Sequence, residues 1–193
     1  QSIRNWAQRL DIRTRVIKNP NELKSKFIVL PGVGSIGPYM DRLKNSNFDQ
    51  AIIDHLNNGH RLLGICLGLQ IMGSHSREDG GVECLGLING YTERLKVGFS
   101  HNGWEKFSLD KNNLKSQSLN SKMKLTRKKI TKGRVFFNHE YGFINEDEGT
   151  FSLPISQNLD KYSSIIIKGN IIGVQFHPEK SQQTGLDLLS LIL

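Results

Sequence analysis

Residues 62–70, Leu-Leu-Gly-Ile-Cys-Leu-Gly-Leu-Gln, end an apolar run at a cysteine set between Gly64 and Gly68, and the apolar positions then continue as Leu69, Ile71 and Met72. This spacing predicts a buried strand, a tight turn and the first turn of a helix. Glycines on both sides admit backbone angles and close approaches that a Cβ would block. A cysteine at such an elbow stands off the end of the sheet, where helix N–H dipoles favour its thiolate. The same pattern also describes a buried structural cysteine in an ordinary strand–helix turn, and the stretch alone does not separate the two.

The rest of the chain repeats this grammar in its first half. Phe27–Leu30 is a buried strand stopped by Pro31-Gly32-Val33-Gly34, and Thr14–Ile17 is a further strand candidate. Ile3, Trp6, Ala7 and Leu10 share a helical face. Tyr39–Leu43 and Phe48–Leu56 read as helices, the second stopped by Asn58-Gly59. Alternating strands and helices imply an α/β fold with an open, mostly parallel sheet. After Gly81 the expected strands are short: Leu85–Ile88, Thr92–Val97, Lys106–Leu109, Val135–Phe137, Ile165–Ile167 and Ile171–Phe176. Lys168-Gly169-Asn170 joins the last two as a hairpin, and Gly185–Leu193 forms a closing helix. At 193 residues one domain over 1–193 is expected.

Charge and cysteine content narrow the classes. The net charge of +8 is concentrated between Lys106 and Arg134, where ten basic residues meet one acid, Asp110. Rich in Lys, Ser and Asn and without aromatics interleaved in its core, that segment reads as a solvated loop or hairpin, and no nucleic acid is expected. No apolar run approaches the roughly 18 residues of a membrane span, so no membrane is expected. Two cysteines, Cys66 and Cys84, make no disulfide framework, which suits a reducing cytoplasm. Neither a Cys-x-x-Cys pair nor a histidine cluster suggests a metal, and no cofactor is expected.

A second stretch gives Cys66 its context. Gly173-Val174-Gln175-Phe176-His177-Pro178-Glu179-Lys180-Ser181 is a strand running into a histidine, with a carboxylate two residues on. If the chain stays extended through Pro178, His177 and Glu179 share a side. One imidazole nitrogen then faces a nucleophile while the other donates to the carboxylate. Both stretches end where sites of open parallel sheets lie, at the carboxyl ends of strands. A thiol attacking a carbonyl also needs N–H donors for the oxyanion. Leu67 and the Pro31–Gly34 turn can supply them.

Leu-Pro-Gly-Val-Gly, Gly-Ile-Cys-Leu-Gly-Leu-Gln and Gly-Val-Gln-Phe-His-Pro-Glu-Lys-Ser, in this order, resemble the class I (triad) glutamine amidotransferases. With His101-Asn102-Gly103-Trp104, they are most similar to the glutaminase subunit of imidazole glycerol phosphate synthase. The resemblance implies a flavodoxin-like sheet flanked by helices, with added antiparallel strands. It implies Cys66 as nucleophile on L-glutamine, His177 as proton shuttle and Glu179 as its orienter. Backbone N–H groups of Val33, Gly34 and Leu67 would form the oxyanion hole. Gln70, Glu78 and the backbone of His139, Glu140 and Tyr141 would hold the substrate. Ammonia would pass to a (β/α)8-barrel synthase in a heterodimer, docked near Trp104 and Lys180, to form imidazole glycerol phosphate and AICAR in histidine biosynthesis. A related paralogue would instead supply ammonia for an amidino sugar of surface polysaccharide, and a non-catalytic binding module on the same fold is the alternative of another class.

Three features depart from the family. Gln1-Ser2-Ile3-Arg4 resembles the start of the first helix, so an N-terminal strand is expected to be missing by truncation. The stretch from Trp104 to His139 is longer than usual. Asn102, Asn138 and Glu140 replace two apolar residues and a small hydroxyl, and a carboxylate at 140 would repel the substrate carboxylate unless it points away.

Overall fold

The structure, a computed structural model, describes residues 2–96, 100–109 and 131–192. Its main sheet joins five strands: β1 (Phe27–Gly32), β2 (Arg61–Cys66), β11 (Ile171–Val174), β10 (Ser163–Lys168) and β9 (Phe151–Pro154), in that spatial order. The first three run parallel, and β10 and β9 add on antiparallel. A smaller sheet orders β4 (Val82–Glu83), β3 (His75–Ser76), β5 (Gly90–Arg94) and β8 (Tyr141–Asn145). A long antiparallel pair, β6 (His101–Leu109) and β7 (Thr131–His139), completes the strands.

Period-two alternation in β2 explains why the main sheet is covered on both faces. Leu63 and Ile65 pack with Ile172 and Val174 against helix α5 (Gln182–Ile192), through Leu186 and Leu189, and against Trp6 and Ala7 of α1 (Ser2–Gln8). Leu62 lies on the other face with Ile36, Met40 and Leu43 of α2 (Ile36–Asn45) and Ile52 of α3 (Phe48–Asn57). Each such side chain taken fully out of water contributes roughly 1.5–3 kcal/mol. The Lys168–Asn170 turn joins β10 to β11 as expected, with Gly169 at φ 56°.

Several expectations need correction. Thr14–Ile17 is not a strand; it runs irregularly, with Thr14, Arg15 and Val16 exposed and Ile17 half-buried. Leu85–Ile88 is not a strand either. Its N–H groups turn inward to main-chain oxygens of Ile71, Gly73 and Met72, so its apolar residues pack without a ladder. The strand expected over Thr92–Val97 ends at Arg94, and Val97 lies outside the described residues. So do residues 110–130, which carry most of the basic segment.

Candidate active site

Cys66 ends β2, and the one-turn helix α4 (Leu67–Gln70) follows immediately. Its backbone is left-handed, φ 54° and ψ −109°, a conformation that costs an L-residue of order 1–3 kcal/mol and persists only where surroundings enforce it. The enforcement comes from the flanking glycines, through space rather than through their own torsions. A Cβ on Gly68 would collide with the carbonyl oxygen of Leu30, and one on Gly64 would meet Met72 and the Gly68 carbonyl. The sharp turn also breaks the alternation of β2. Cys66 joins the cluster of Leu63 and Ile65 instead of the face of Leu62.

His177 lies beyond the end of β11, with its ring buried. Pro178–Lys180 is a 3-10 turn, so the chain does not stay extended through Pro178 as alternation required. The turn still brings the pair together. His177 Nδ1 is 2.9 Å from Glu179 Oε1, and both side chains are 5% exposed. Ser181 fixes the turn: its hydroxyl donates to the His177 carbonyl at 2.6 Å and accepts from the Phe136 N–H at 3.0 Å. Burial alone would lower the His177 pKa, but hydrogen bonds and charge from Cys66 and Glu179 outweigh it and push it up to about 9. These partners therefore favour the charged form of the ring.

Both residues meet in a cleft of about 420 Å³. Parallel pairing of β1 with β2 sets Gly32 beside Cys66, which brings Val33 and Gly34 to the rim. Val33 is 80% exposed and Gly34 has φ 97°. Leu67, Gln70, Glu78, His139, Glu140, Tyr141 and Lys180 also line the cleft, so every expected nucleophile, oxyanion and substrate residue except the buried Glu179 faces one space. A larger groove of about 770 Å³ beside Asn21, Gln50 and His55 has no cysteine on its walls.

Electrostatics differ sharply around the cleft. Glu78 is half-buried; burial, then the neighbouring Asp79 and Glu140 charges, push its carboxyl up to about 7 against an opposing bond from the Ile36 backbone. A cationic amine placed there would restore its charge. Glu140 pairs with Arg94 at 3.1 Å, and both side chains are about half exposed. Its carboxylate is thus tethered outward.

His139 is buried beside the same cleft. Its Nδ1 lies 2.7 Å from the Tyr141 carbonyl, and its Nε2 lies 3.1 Å from His101 Nδ1. Burial dominates and the His101 and His177 charges add to it, so the His139 pKa falls to about 4 despite the Tyr141 bond. A carbonyl only accepts, so His139 donates through Nδ1, and its Nε2 must accept from His101 Nδ1–H. His101 Nε2 faces Glu105 Oε1 at 3.3 Å. Sequence reasoning missed His101, Gln175 and Ser181 as supports of the site, because local spacing does not say which polar side chains of distant strands meet.

Trp104 lies outside the cleft lining, half-buried on the outward face of β6 and apart from both core clusters. Its ring meets Phe136 edge-on at 5.6 Å, with the Arg134 guanidinium 6.0 Å above it. Lys180 Nζ sits 5.6 Å over the Phe136 ring. Asn102 and Asn138, paired across β6 and β7, are both exposed.

A glutamine amidotransferase class-I family model matches residues 1–190. Imidazole glycerol phosphate synthase subunit HisH of Bacillus subtilis (strain 168) is 34% identical over 198 residues, covering 98% of this chain and 88% of that protein. The subunit HisH of Oceanobacillus iheyensis is 37% identical over 192 residues, covering 98% and 90%. The chloroplastic imidazole glycerol phosphate synthase hisHF of Arabidopsis thaliana is 32% identical over all of this chain, which spans 32% of that protein. Among solved structures, a crystal structure of glutamine amidotransferase superposes with a TM-score of 0.70 at 15% identity, covering 97% of this chain and 89% of that one. That likeness shows the fold.

Proposed function

The chain belongs to the class-I glutamine amidotransferase family, and on that premise we propose that it is the glutaminase subunit of an imidazole glycerol phosphate synthase in histidine biosynthesis. The observation that carries this reading is Cys66, held left-handed at the end of β2, facing the same cleft as a buried His177–Glu179 pair at 2.9 Å.

In this reading Cys66 Sγ attacks the side-chain amide carbon of L-glutamine. The oxygen that gains charge is met by N–H groups of Leu67 and of the Val33–Gly34 turn, where the first turn of a helix leaves donors without intrahelical partners. His177 gives its proton to the departing nitrogen, so ammonia leaves and a γ-glutamyl thioester remains. Water then attacks the thioester while His177 takes its proton, and the bond to sulfur breaks to release glutamate. Glu179 holds the ring so that its other nitrogen faces the reacting atoms. Gln70, Glu78 and the backbone at His139, Glu140 and Tyr141 hold the substrate. Glu78 takes the α-ammonium, which favours the charged form of a carboxyl otherwise pushed up to about 7.

The partner is a (β/α)8-barrel synthase that receives the ammonia in a heterodimer, by analogy with relatives named as subunits of the synthase. Half-buried Trp104, with Phe136, Arg134 and Lys180 around it, supports docking on that face; partly exposed aromatics beside cations are typical interface anchors. The whole chain acts as one amidotransferase domain in the cytoplasm.

The test mixes the protein with L-glutamine, the barrel synthase and the synthase's ligand, and measures glutamate. Turnover that disappears in Cys66→Ala is expected. Wild-type turnover no greater than that of Cys66→Ala would sink the reading.

A further inference from the structure

The helix after Cys66 is a single turn, Leu67–Gln70, so its dipole is small and the thiolate needs a donor from elsewhere. Gln175 is such a donor. It follows β11, is completely buried, and places Nε2 3.7 Å from Cys66 Sγ. No step of the proposed mechanism uses it.

The direction of that contact follows from its surroundings. The Tyr141 carbonyl lies 2.6 Å from Gln70 Nε2 and 2.7 Å from His139 Nδ1. Because a carbonyl oxygen can only accept, the Gln70 amide must present its nitrogen there. The second N–H of Gln70 points to Gln175, whose Oε1 lies 3.3 Å away. Gln175 must therefore accept on that side, which turns its own nitrogen toward the sulfur. One main-chain carbonyl thus sets the polarity of two buried amides in series. The main-chain oxygen of Asn138 lies 4.0 Å from the sulfur and cannot donate, so Gln175 and His177 are the donors around it among the described residues. A donated N–H is worth more to a sulfur anion than to a neutral thiol.

We propose that Gln175 is a positioning residue that holds the Cys66 sulfur as a thiolate by donating its side-chain N–H, in an orientation imposed through Gln70 by the Tyr141 carbonyl. This rests on Cys66 being the nucleophile of the proposed glutaminase.

The test is alkylation of Cys66 by iodoacetamide in the full chain at pH 7, followed by peptide mass. Cys84 is a distinguishable second thiol, which burial pushes up to about 11 despite the nearby Lys44 charge. Gln175→Met keeps the volume and removes the donor. It is expected to slow Cys66 alkylation and kcat by about tenfold, the usual scale of a hydrogen bond to a charged group, with the KM for glutamine changed by no more than about twofold. Alkylation within about twofold of wild type in a folded Gln175→Met protein overturns the proposal. If that variant does not fold, wild-type protein and Cys66→Ala decide by nuclear magnetic resonance. The side-chain amide protons of Gln175 are expected to move upfield in Cys66→Ala while those of Gln70 stay; unchanged Gln175 signals overturn the proposal. Alkylation consumes no glutamine. A protein without glutaminase activity but with Gln175-dependent alkylation would refute the functional reading and leave this one standing.

Discussion

Two buried histidines line one cleft and are tuned in opposite directions. His177, at the turn after β11, is pushed up to about 9 by Cys66 and Glu179 even though burial opposes it. His139, at the corner between β7 and β8, falls to about 4 because burial is opposed only by the Tyr141 carbonyl, while the His101 and His177 charges add to it. Burial depth therefore does not decide the charge of a histidine here; the partner does. A ring held by a carboxylate and a sulfur takes up a proton more readily than a free imidazole. A ring set between a carbonyl and another imidazole becomes a neutral strut for the backbone it touches.

Removing the charged histidine is the largest expected effect. His177→Asn should lower kcat for glutamine hydrolysis by roughly 10²–10⁴-fold, the range for a positioned acid–base group, with little change in KM. Steady-state glutamate release measures it. Glu179→Gln erases the cause of the asymmetry while keeping the ring. The loss should be about ten- to a hundredfold in kcat, since one hydrogen bond to a charged group is removed, and the imidazole should titrate lower in a histidine-resolved NMR titration.

The neutral strut should show itself in stability. His139→Phe leaves His101 Nδ1–H without its acceptor, and about 1–3 kcal/mol should be lost in denaturant unfolding. The pH dependence separates the two rings. A histidine lowered from 6.5 to about 4 contributes stability that is lost as pH falls through that window, and His139→Phe should flatten the acid limb of Tm against pH. His177, raised to about 9, contributes stability present below 6.5 and lost as pH rises toward 9, so His177→Asn should flatten the alkaline limb.

Glu78 gives the smallest effect and blunts the acid limb. Its carboxyl is raised from 4.5 to about 7, so folding disfavours its charge and stability falls as pH rises through that interval, against the slope from His139. Glu78→Gln should have a higher Tm than wild type at pH 8 and the same Tm at pH 4, while its KM for glutamine rises. An equal Tm at pH 8 would remove Glu78 from this account.

The proposed triad was legible because its members sit in short local patterns. A cysteine between glycines and a His-x-Glu after a strand each announce a backbone geometry. The parallel sheet was legible from Phe27–Leu30 and Leu62–Cys66, apolar runs that end in glycine turns. Leu85–Ile88 misled because an apolar run looks alike whether it pairs in a ladder or bonds irregularly to the main chain of residues 71–73. Gln175 stands inside a legible motif, yet its role depends on Gln70 and Tyr141, which lie 105 and 71 residues respectively from the partners they orient. The tether of Glu140 to Arg94 likewise depends on the pairing of β5 with β8, which no local pattern specifies.

The left-handed backbone at Cys66 sets chemistry and folding against each other at one residue. Glycine is the residue that this torsion suits, and glycine has no sulfur. The side chain proposed as the nucleophile therefore occupies a position where its loss relaxes the chain. In a lineage released from the need for ammonia, drift away from activity would run downhill in stability, and an inert, well-folded descendant would need a single codon change to begin.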